Sequence, residues 1–207
     1  MTRITLEHIR AALDIPAEEM RAALLAMAPE GRPMTPPPGV EARQAGVLVL
    51  LFPDEDDLLH LMLTRRTAHL RGHSGQISFP GGRRDPSDAS FIETALRETC
   101  EELGLCAADQ IEILGSLTRF YIPPSNYEVH PVVAWLPGLP ELRPNADEVA
   151  EVFSMPLADL LRPEIKHVED WTFDGQTRRI AFYMVQGHKV WGATAAMLSE
   201  FEHRLRR

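Results

Sequence analysis

The chain has 207 residues, 44% of them hydrophobic and 25% charged. This is ordinary globular composition and excludes a disordered, collagen-like or disulfide-stapled chain. Lys and Arg total 21 against 30 Asp and Glu, a formal charge of −9, which argues against nucleic acid or an anionic membrane surface as a partner. Cys100 and Cys106 form no Cys-x-x-Cys, and they read as two core-type thiols in a reducing compartment. No run of 18 apolar residues is present, and Met1–Ile15 lacks a signal-peptide core. The cytoplasm is therefore the expected location.

In chain order, residues 5–28 predict two short helices broken near Ile15-Pro16. Leu6, Ile9 and Leu13 form one stripe; Met20, Leu24 and Met27 form another. Pro33, Pro36, Pro37, Pro38 and Gly39 then mark a semi-stiff linker. The helices before it read as an appendage, a cap or a homodimer contact. Gly46–Phe52 (GVLVLLF) predicts a buried strand, with Leu58–Arg66 as its hairpin partner after the acidic turn Asp54–Asp57. Ser87–Leu105 is the clearest helix. Ile111–Leu117, Val129–Leu136 and Val149–Phe153 predict strands, and Pro156–Leu161 a short helix. His167–Phe173 and Arg178–Val185 flank the turn signal Asp174-Gly175. Ala193–Leu205 predicts a closing amphipathic helix. Phe120–Tyr127 reads as a loop whose aromatics either pack or stack on a base, and Trp171 and Trp191 read as packing residues.

The chemistry lies in Arg97-Glu98-Thr99-Cys100-Glu101-Glu102-Leu103-Gly104-Leu105. On a helix, Ile92, Ala95, Leu96, Thr99 and Leu103 fall on the expected buried face. Glu98, Glu101 and Glu102 fall together on the other side. Two carboxylates about 6 Å apart repel by about 3 kcal/mol at an effective dielectric of about 20. A hard divalent ion removes that repulsion, and Mg²⁺ or Mn²⁺ suits an all-oxygen site. The alternative is a solvated acidic face with Arg97 pairing along it. Upstream, Gly81 and Gly82 let backbone approach a ligand closely. From Leu58 to Arg84 there is no acid, yet Arg65, Arg66, Arg71, Arg83 and Arg84 are present. Guanidinium forks suit phosphate. The alternative there is a merely solubilising basic loop, with His69 and His73 structural.

Taken together, Gly82-x5-Asp88-x8-Arg97-Glu98-Thr99-x-Glu101-Glu102-x-Gly104-Leu105 resembles the signature of the Nudix hydrolases, G-x5-E-x7-R-E-U-x-E-E-x-G-U with U aliphatic. Asp88 stands for the first Glu, one residue is added before Arg97, and Thr99 takes an aliphatic position. Met62–Gly82 in turn resembles the motif of the Nudix branch acting on coenzyme A, L-L-T-x-R-S/A-x3-R-x3-G-x3-F-P-G-G, with Met62 and Thr67 as its departures.

The resemblance implies an α/β (α+β) Nudix-type α/β/α sandwich with a mixed β-sheet. It places a helical extension over residues 1–30, a Pro-rich linker over 31–43 and the Nudix domain over 44–207. It implies hydrolysis of the pyrophosphate of a coenzyme A-like nucleotide with Mg²⁺ or Mn²⁺. The implied metal ligands are Glu98, Glu101 and Glu102, and the catalytic residues Glu98, Glu101 and Arg97. The implied substrate contacts are Arg66, Arg71, Gly75, Gln76, Phe79, Gly81 and Gly82. Two other readings stay open: a Nudix enzyme for ADP-ribose, a dinucleotide or a nucleoside triphosphate, and a non-catalytic nucleotide-binding Nudix module.

Overall fold

The computed structural model describes residues 3–28, 33–68, 75–106, 108–173 and 175–207. The N-terminal part holds α1 (Leu6–Leu13), a 3-10 turn at Ala17–Met20 and α2 (Arg21–Ala26), broken at Pro16 as its ring requires. Then follow β1 (Arg43–Pro53), β2 (Leu59–Arg66), β3 (Ile77–Ser78), β4 (Gly81–Arg83) and α3 (Phe91–Leu103). Next come β5 (Glu112–Ser116), β6 (Phe120–Ile122), β7 (Tyr127–Trp135) and β8 (Val149–Pro156). The chain closes with β9 (Lys166–Phe173), β10 (Gln176–Val185), β11 (His188–Trp191) and α4 (Gly192–Leu205).

The main sheet has eight strands, ordered β3-β2-β1-β7-β5, with β4 on β1, β6 on β7 and β8 on β2. β1 and β7 run parallel, from Arg43 opposite Tyr127 to Leu51 opposite Trp135, and the other pairs are antiparallel. The sheet is thus mixed, as expected. Alternation along β1 splits the core. Leu48 and Leu50 pack with Ala95 and Leu103 of α3. Val49 and Leu51 belong to the opposite cluster with Leu198 and Phe201 of α4. A strand buried on both faces needs an unbroken apolar run, and GVLVLLF supplies it. A second sheet, β11-β10-β9, carries the predicted hairpin, although Asp174 of its turn lies outside the described residues.

The N-terminal helices are part of the main core. Ile9, Ala12, Leu24 and Met27 join the α4-side cluster. The fully buried Arg204 side chain of α4 donates to the carbonyls of Ala12 at 3.1 Å and Ile15 at 2.7 Å, so it caps the end of α1. Its Nε donates to Glu200 at 2.8 Å, and Glu200 accepts in turn from Thr118 N and Oγ1. Expecting an appendage overlooked this capping, because the partners lie about 190 residues apart in sequence.

α3 differs from expectation in three ways. It starts at Phe91, not Ser87, because Ser90 Oγ accepts from Glu93 N and Glu93 Oε2 accepts from Ala89 N, a reciprocal cap. Its buried face is Thr94, Ala95, Thr99, Glu102 and Leu103, while Ile92 is exposed. The acidic and apolar faces therefore overlap at Glu102. Thr99 is tolerated at an aliphatic position because its Oγ1 donates to Ala95 O at 2.7 Å. The two cysteines expected as free thiols form a disulfide, with Cα atoms 4.5 Å apart. Gly104, at φ +69°, ends α3 in the left-handed conformation and turns Cys106 back beside Cys100. With that pairing no free cysteine is left to indicate a reducing compartment. Among the described residues no helix is long and apolar enough to cross a membrane.

Replacing Arg204 by Met leaves the Glu200 carboxylate buried and unpaired, which costs about 3–5 kcal/mol of stability. Urea denaturation measures this, and a loss below about 1 kcal/mol would show that the pair contributes only what an exposed one does.

Candidate functional site

The site forms where β4 crosses β1 and meets α3. Val47, Gly46 and Ala45 pair with Gly81, Gly82 and Arg83. At φ +145°, Gly81 lies so close to β1 that a Cβ would fall 2.4 Å from Gly46 O and 2.6 Å from Val47 Cα. A Cβ on Gly82 would fall 2.3 Å from Glu98 Oε2. Two side-chain-free residues thus let an acidic helix lie directly on a loop of backbone amides. Gly81 N donates to Glu102 Oε2 at 3.3 Å.

Arg97 organises this surface. Its Nε and Nη2 donate to the two oxygens of Asp88, both at 3.0 Å, and Nη2 also reaches Arg83 O at 3.0 Å. Its Nη1 donates to Glu98 Oε1 at 2.9 Å and Glu101 Oε1 at 3.1 Å. Asp88 is buried and accepts as well from Asp85 N and Thr94 Oγ1. That set of donors, Arg97 foremost, holds the Asp88 carboxyl well below the usual range. The same carboxylates push the Arg97 pKa further up, so it stays charged.

Glu98 and Glu102 experience the opposite environment. Burial raises the Glu98 pKa against the lowering pull of Arg97. Burial pushes Glu102 up to about 7, against the pull of Arg66 and the Gly81 amide. Each of the two also feels the other acid residues around it: Glu98 feels Glu101 and Glu148, and Glu102 feels Glu148 and Glu98. Glu148 is therefore a carboxylate of this site that the sequence reading passed over. The loop before β8 brings it there: Asn145 N donates to Glu102 O at 2.8 Å, and Thr67 N to Glu148 O at 2.9 Å. The only sequence signal was the acidic pair Asp147-Glu148 just ahead of a strand.

The residues expected at the site are dispersed unevenly. Arg66 is brought in, with Nη1 3.5 Å from Glu102 Oε1. Its buried Nε has no hydrogen-bond partner among the described residues. Gly81 and Gly82 are in place. Glu101 shares Arg97 Nη1 with Glu98, but its side chain is 57% exposed, unlike those of Glu98 and Glu102. Phe79 is 2% exposed in the α4-side core, so it packs instead of offering a surface to substrate. Gly75 stands in open space, and Gln76 gives its carbonyl to Arg66 N at 3.0 Å. Arg71, His69 and His73 lie outside the described residues. Tyr121, buried, donates to Asn126 Oδ1, which favours packing for the Phe120–Tyr127 segment.

No three His, Cys, Asp or Glu among the described residues converge as a ready-made metal cluster. The donor set nevertheless fits a hard cation. Glu98 and Glu102 turn toward the bare Gly81-Gly82 loop, their oxygens are desolvated, and Glu148 adds charge from across the site. Buried carboxylates with raised pKa values gain more from a divalent ion than exposed ones. A Gly82→Ala variant forces the Glu98 carboxylate to move and should weaken Mn²⁺ binding by about 10–100-fold, with its far-UV circular dichroism unchanged. Calorimetric titration measures this. Binding equal to the parent protein would show that Glu98 is not a ligand.

A NUDIX domain model matches residues 42–174. The chain is 40% identical over 145 residues to an uncharacterized Nudix hydrolase NudL of Photorhabdus laumondii, covering 70% of this chain and 76% of that protein. It is 39% identical over 164 residues to one of Pectobacterium atrosepticum, covering 77% and 81%. Among solved structures, the MutT protein of Methanosarcina mazei superposes with a TM-score of 0.52 at 19% identity, covering 82% of this chain and 97% of that one. A MutT/nudix family protein of Enterococcus faecalis gives 0.52 at 17% identity, covering 100% and 76%. The last two share the fold. The mixed sheet, the glycine loop laid on an acidic helix, and these similarities lead to one conclusion: the chain belongs to the Nudix hydrolase family.

Proposed function

We propose that this Nudix hydrolase cleaves the pyrophosphate of coenzyme A or a coenzyme A derivative, giving 4′-phosphopantetheine and adenosine 3′,5′-bisphosphate. Nudix hydrolases act on nucleotide pyrophosphates and generally use Mg²⁺ or Mn²⁺. One observation carries the finer reading. Arg66, a fixed position of the coenzyme A-type motif, reaches Glu102 of the Nudix helix at 3.5 Å. In this reading a phosphate-binding fork and an ion-holding carboxylate border one point.

In this reading Glu98 and Glu102 hold the ion, with Glu148 facing them. Bound there, the ion would offset charge building on the phosphoryl oxygens and make water a better nucleophile. Arg66 steers one phosphate to the carboxylates with its fork, and its Nε has a free donor to give. The water oxygen bonds to phosphorus as the bridging P–O bond breaks, and a carboxylate of the site takes the proton. We assign this role to Glu148, whose charge acts on both Glu98 and Glu102; Glu101, half-exposed and bound to Arg97, orients that arginine. Arg97 in turn fixes Glu98 and ties the helix to Arg83 O.

The test is a substrate panel with Mg²⁺ and with Mn²⁺, products identified by mass spectrometry. It holds coenzyme A, its disulfide, an acyl thioester, ADP-ribose, a dinucleotide and a nucleoside triphosphate. Coenzyme A compounds should be turned over fastest, and preferred cleavage of ADP-ribose or the triphosphate would overturn the assignment. Glu98→Gln and Glu102→Gln should each lower kcat about 10³-fold, several kcal/mol of barrier, without unfolding. Parental turnover in either would remove that residue from the mechanism.

Proton competition gives a separate readout. Glu102, raised to about 7, is neutral below that pH and must release its proton to bind a cation. Mg²⁺ affinity should therefore fall as pH drops from 8 through 6, and binding should release protons. Calorimetry at pH 6.5 in buffers of different ionisation enthalpy measures this. A binding enthalpy independent of the buffer would exclude Glu102 as a ligand.

A further inference from the structure

An open groove of about 470 Å³ lies beside the glycine loop, lined by Glu41, just before β1, by Arg43 and Gln44 at its start, by Arg83 at the end of β4 and by Arg84 and Asp85 just after it. Its two walls are joined: Ala45 pairs with Arg83, and Arg84 N donates to Gln44 O at 2.9 Å. Three arginines line it, Arg43, Arg83 and Arg84, and none forms an ion pair among the described residues. Arg43 lies 4.3 Å over the Tyr127 ring and donates to Ser125 O. Arg84 lies 4.9 Å over Phe91 and donates to Asp88 O at 2.9 Å. Both heads are thereby oriented by neutral partners that leave their charge uncompensated. The exposed Arg83 side chain has no hydrogen-bond or ion-pair partner among the described residues. Of the two acids in the lining, Asp85 is engaged by Ser87 N and Oγ through one oxygen, at 2.9 and 2.7 Å. Three cations against two anions make a positive groove on a chain of charge −9.

The groove adjoins the candidate site in the chain, through Arg83. Arg83 follows Gly82, and its carbonyl accepts from Arg97 at 3.0 Å. In the proposed function the reacting pyrophosphate is served by Arg66, which lies 3.5 Å from Glu102. We propose that the Arg43–Arg83–Arg84 groove binds a second phosphate of the substrate, a phosphomonoester standing apart from the pyrophosphate. Resting on the coenzyme A reading, that group is the 3′-phosphate of the adenosine. A dianionic phosphomonoester suits guanidinium forks better than a neutral ribose does. The groove then selects for substrates carrying this phosphate, which compensates the charge of the arginines, over those without it.

The experiment compares KM for coenzyme A and for 3′-dephospho-coenzyme A. Arg83→Gln and Arg43→Gln should each raise KM for coenzyme A by about tenfold and that for the dephospho compound by about twofold at most, with a weaker salt dependence for coenzyme A. Arg179→Gln, an exposed arginine of β10, serves as the control. An equal change for both substrates, or none, overturns the groove. A second readout needs no turnover. Adenosine 3′,5′-bisphosphate should bind the parent protein about tenfold more tightly than adenosine 5′-monophosphate, and Arg83→Gln should abolish that difference. If coenzyme A is not cleaved but this difference persists, the substrate assignment fails and the groove stands. If coenzyme A is cleaved and Arg83→Gln matches the parent in both measurements, the groove fails and the assignment stands.

Discussion

The site depends on how Arg97 is bound. One guanidinium joins a buried carboxylate from the turn before α3, two carboxylates on α3 itself, and the backbone of the strand beside it. Its five donors have fixed directions, so these partners fix one another's positions. The bidentate bond to Asp88 matters most, since Asp88 is buried and has spent its remaining capacity on Asp85 N and Thr94 Oγ1. Glu98 thus has a direction before any ligand arrives. Preorganised carboxylates lose little on binding a cation, whereas mobile ones on an exposed helix must first be ordered.

This also explains the departure from the Nudix pattern at Asp88. The turn between Asp88 and α3 ends in the Ser90–Glu93 cap, and the helix then runs unbroken through Arg97, Glu98 and Glu102. The shorter Asp88 still receives both donors of the Arg97 fork.

Much of the fold was legible because its causes are local. The unbroken apolar run of β1, the break at Pro16 and the stop at Gly104 each follow from side-chain chemistry within a few residues. β6 and β11, three and four residues long, hold no periodicity to read. Of the site, the glycine loop and the three glutamates were legible as residues, but their roles were not. Helical spacing placed Glu101 and Glu102 together, whereas packing against β1 and the 145–149 loop buries one and leaves the other in solvent. Glu148 arrives through Asn145 N on Glu102 O, and the cap of α1 arrives through Arg204. Both contacts span a tertiary distance that no local pattern encodes. The cysteine pair failed for a related reason: six residues apart on a helix they face different ways, and only the reversal at Gly104 joins them.

The electrostatics of the molecule are divided to match. Acidic residues dominate overall, which disfavours a polyanionic substrate at long range. Binding then has to come from short-range forks in places shielded from that field. The stretch from Leu58 to Arg84 has no acid in sequence, and three of its arginines lie on two sides of one loop, while Arg65 pairs with Glu151 at 2.8 Å. Arg66 goes to Glu102, and Arg83 and Arg84 go to the groove beyond Gly82. Between them lie Glu98 and Glu102, which phosphate alone would find repulsive. Under the proposed function, a cation held there would convert the repulsive centre into an attractive one, and the arginines would position a ligand that the ion makes welcome. Affinity for substrate and affinity for metal would then be coupled by the same charges, each strengthening the other to an equal degree.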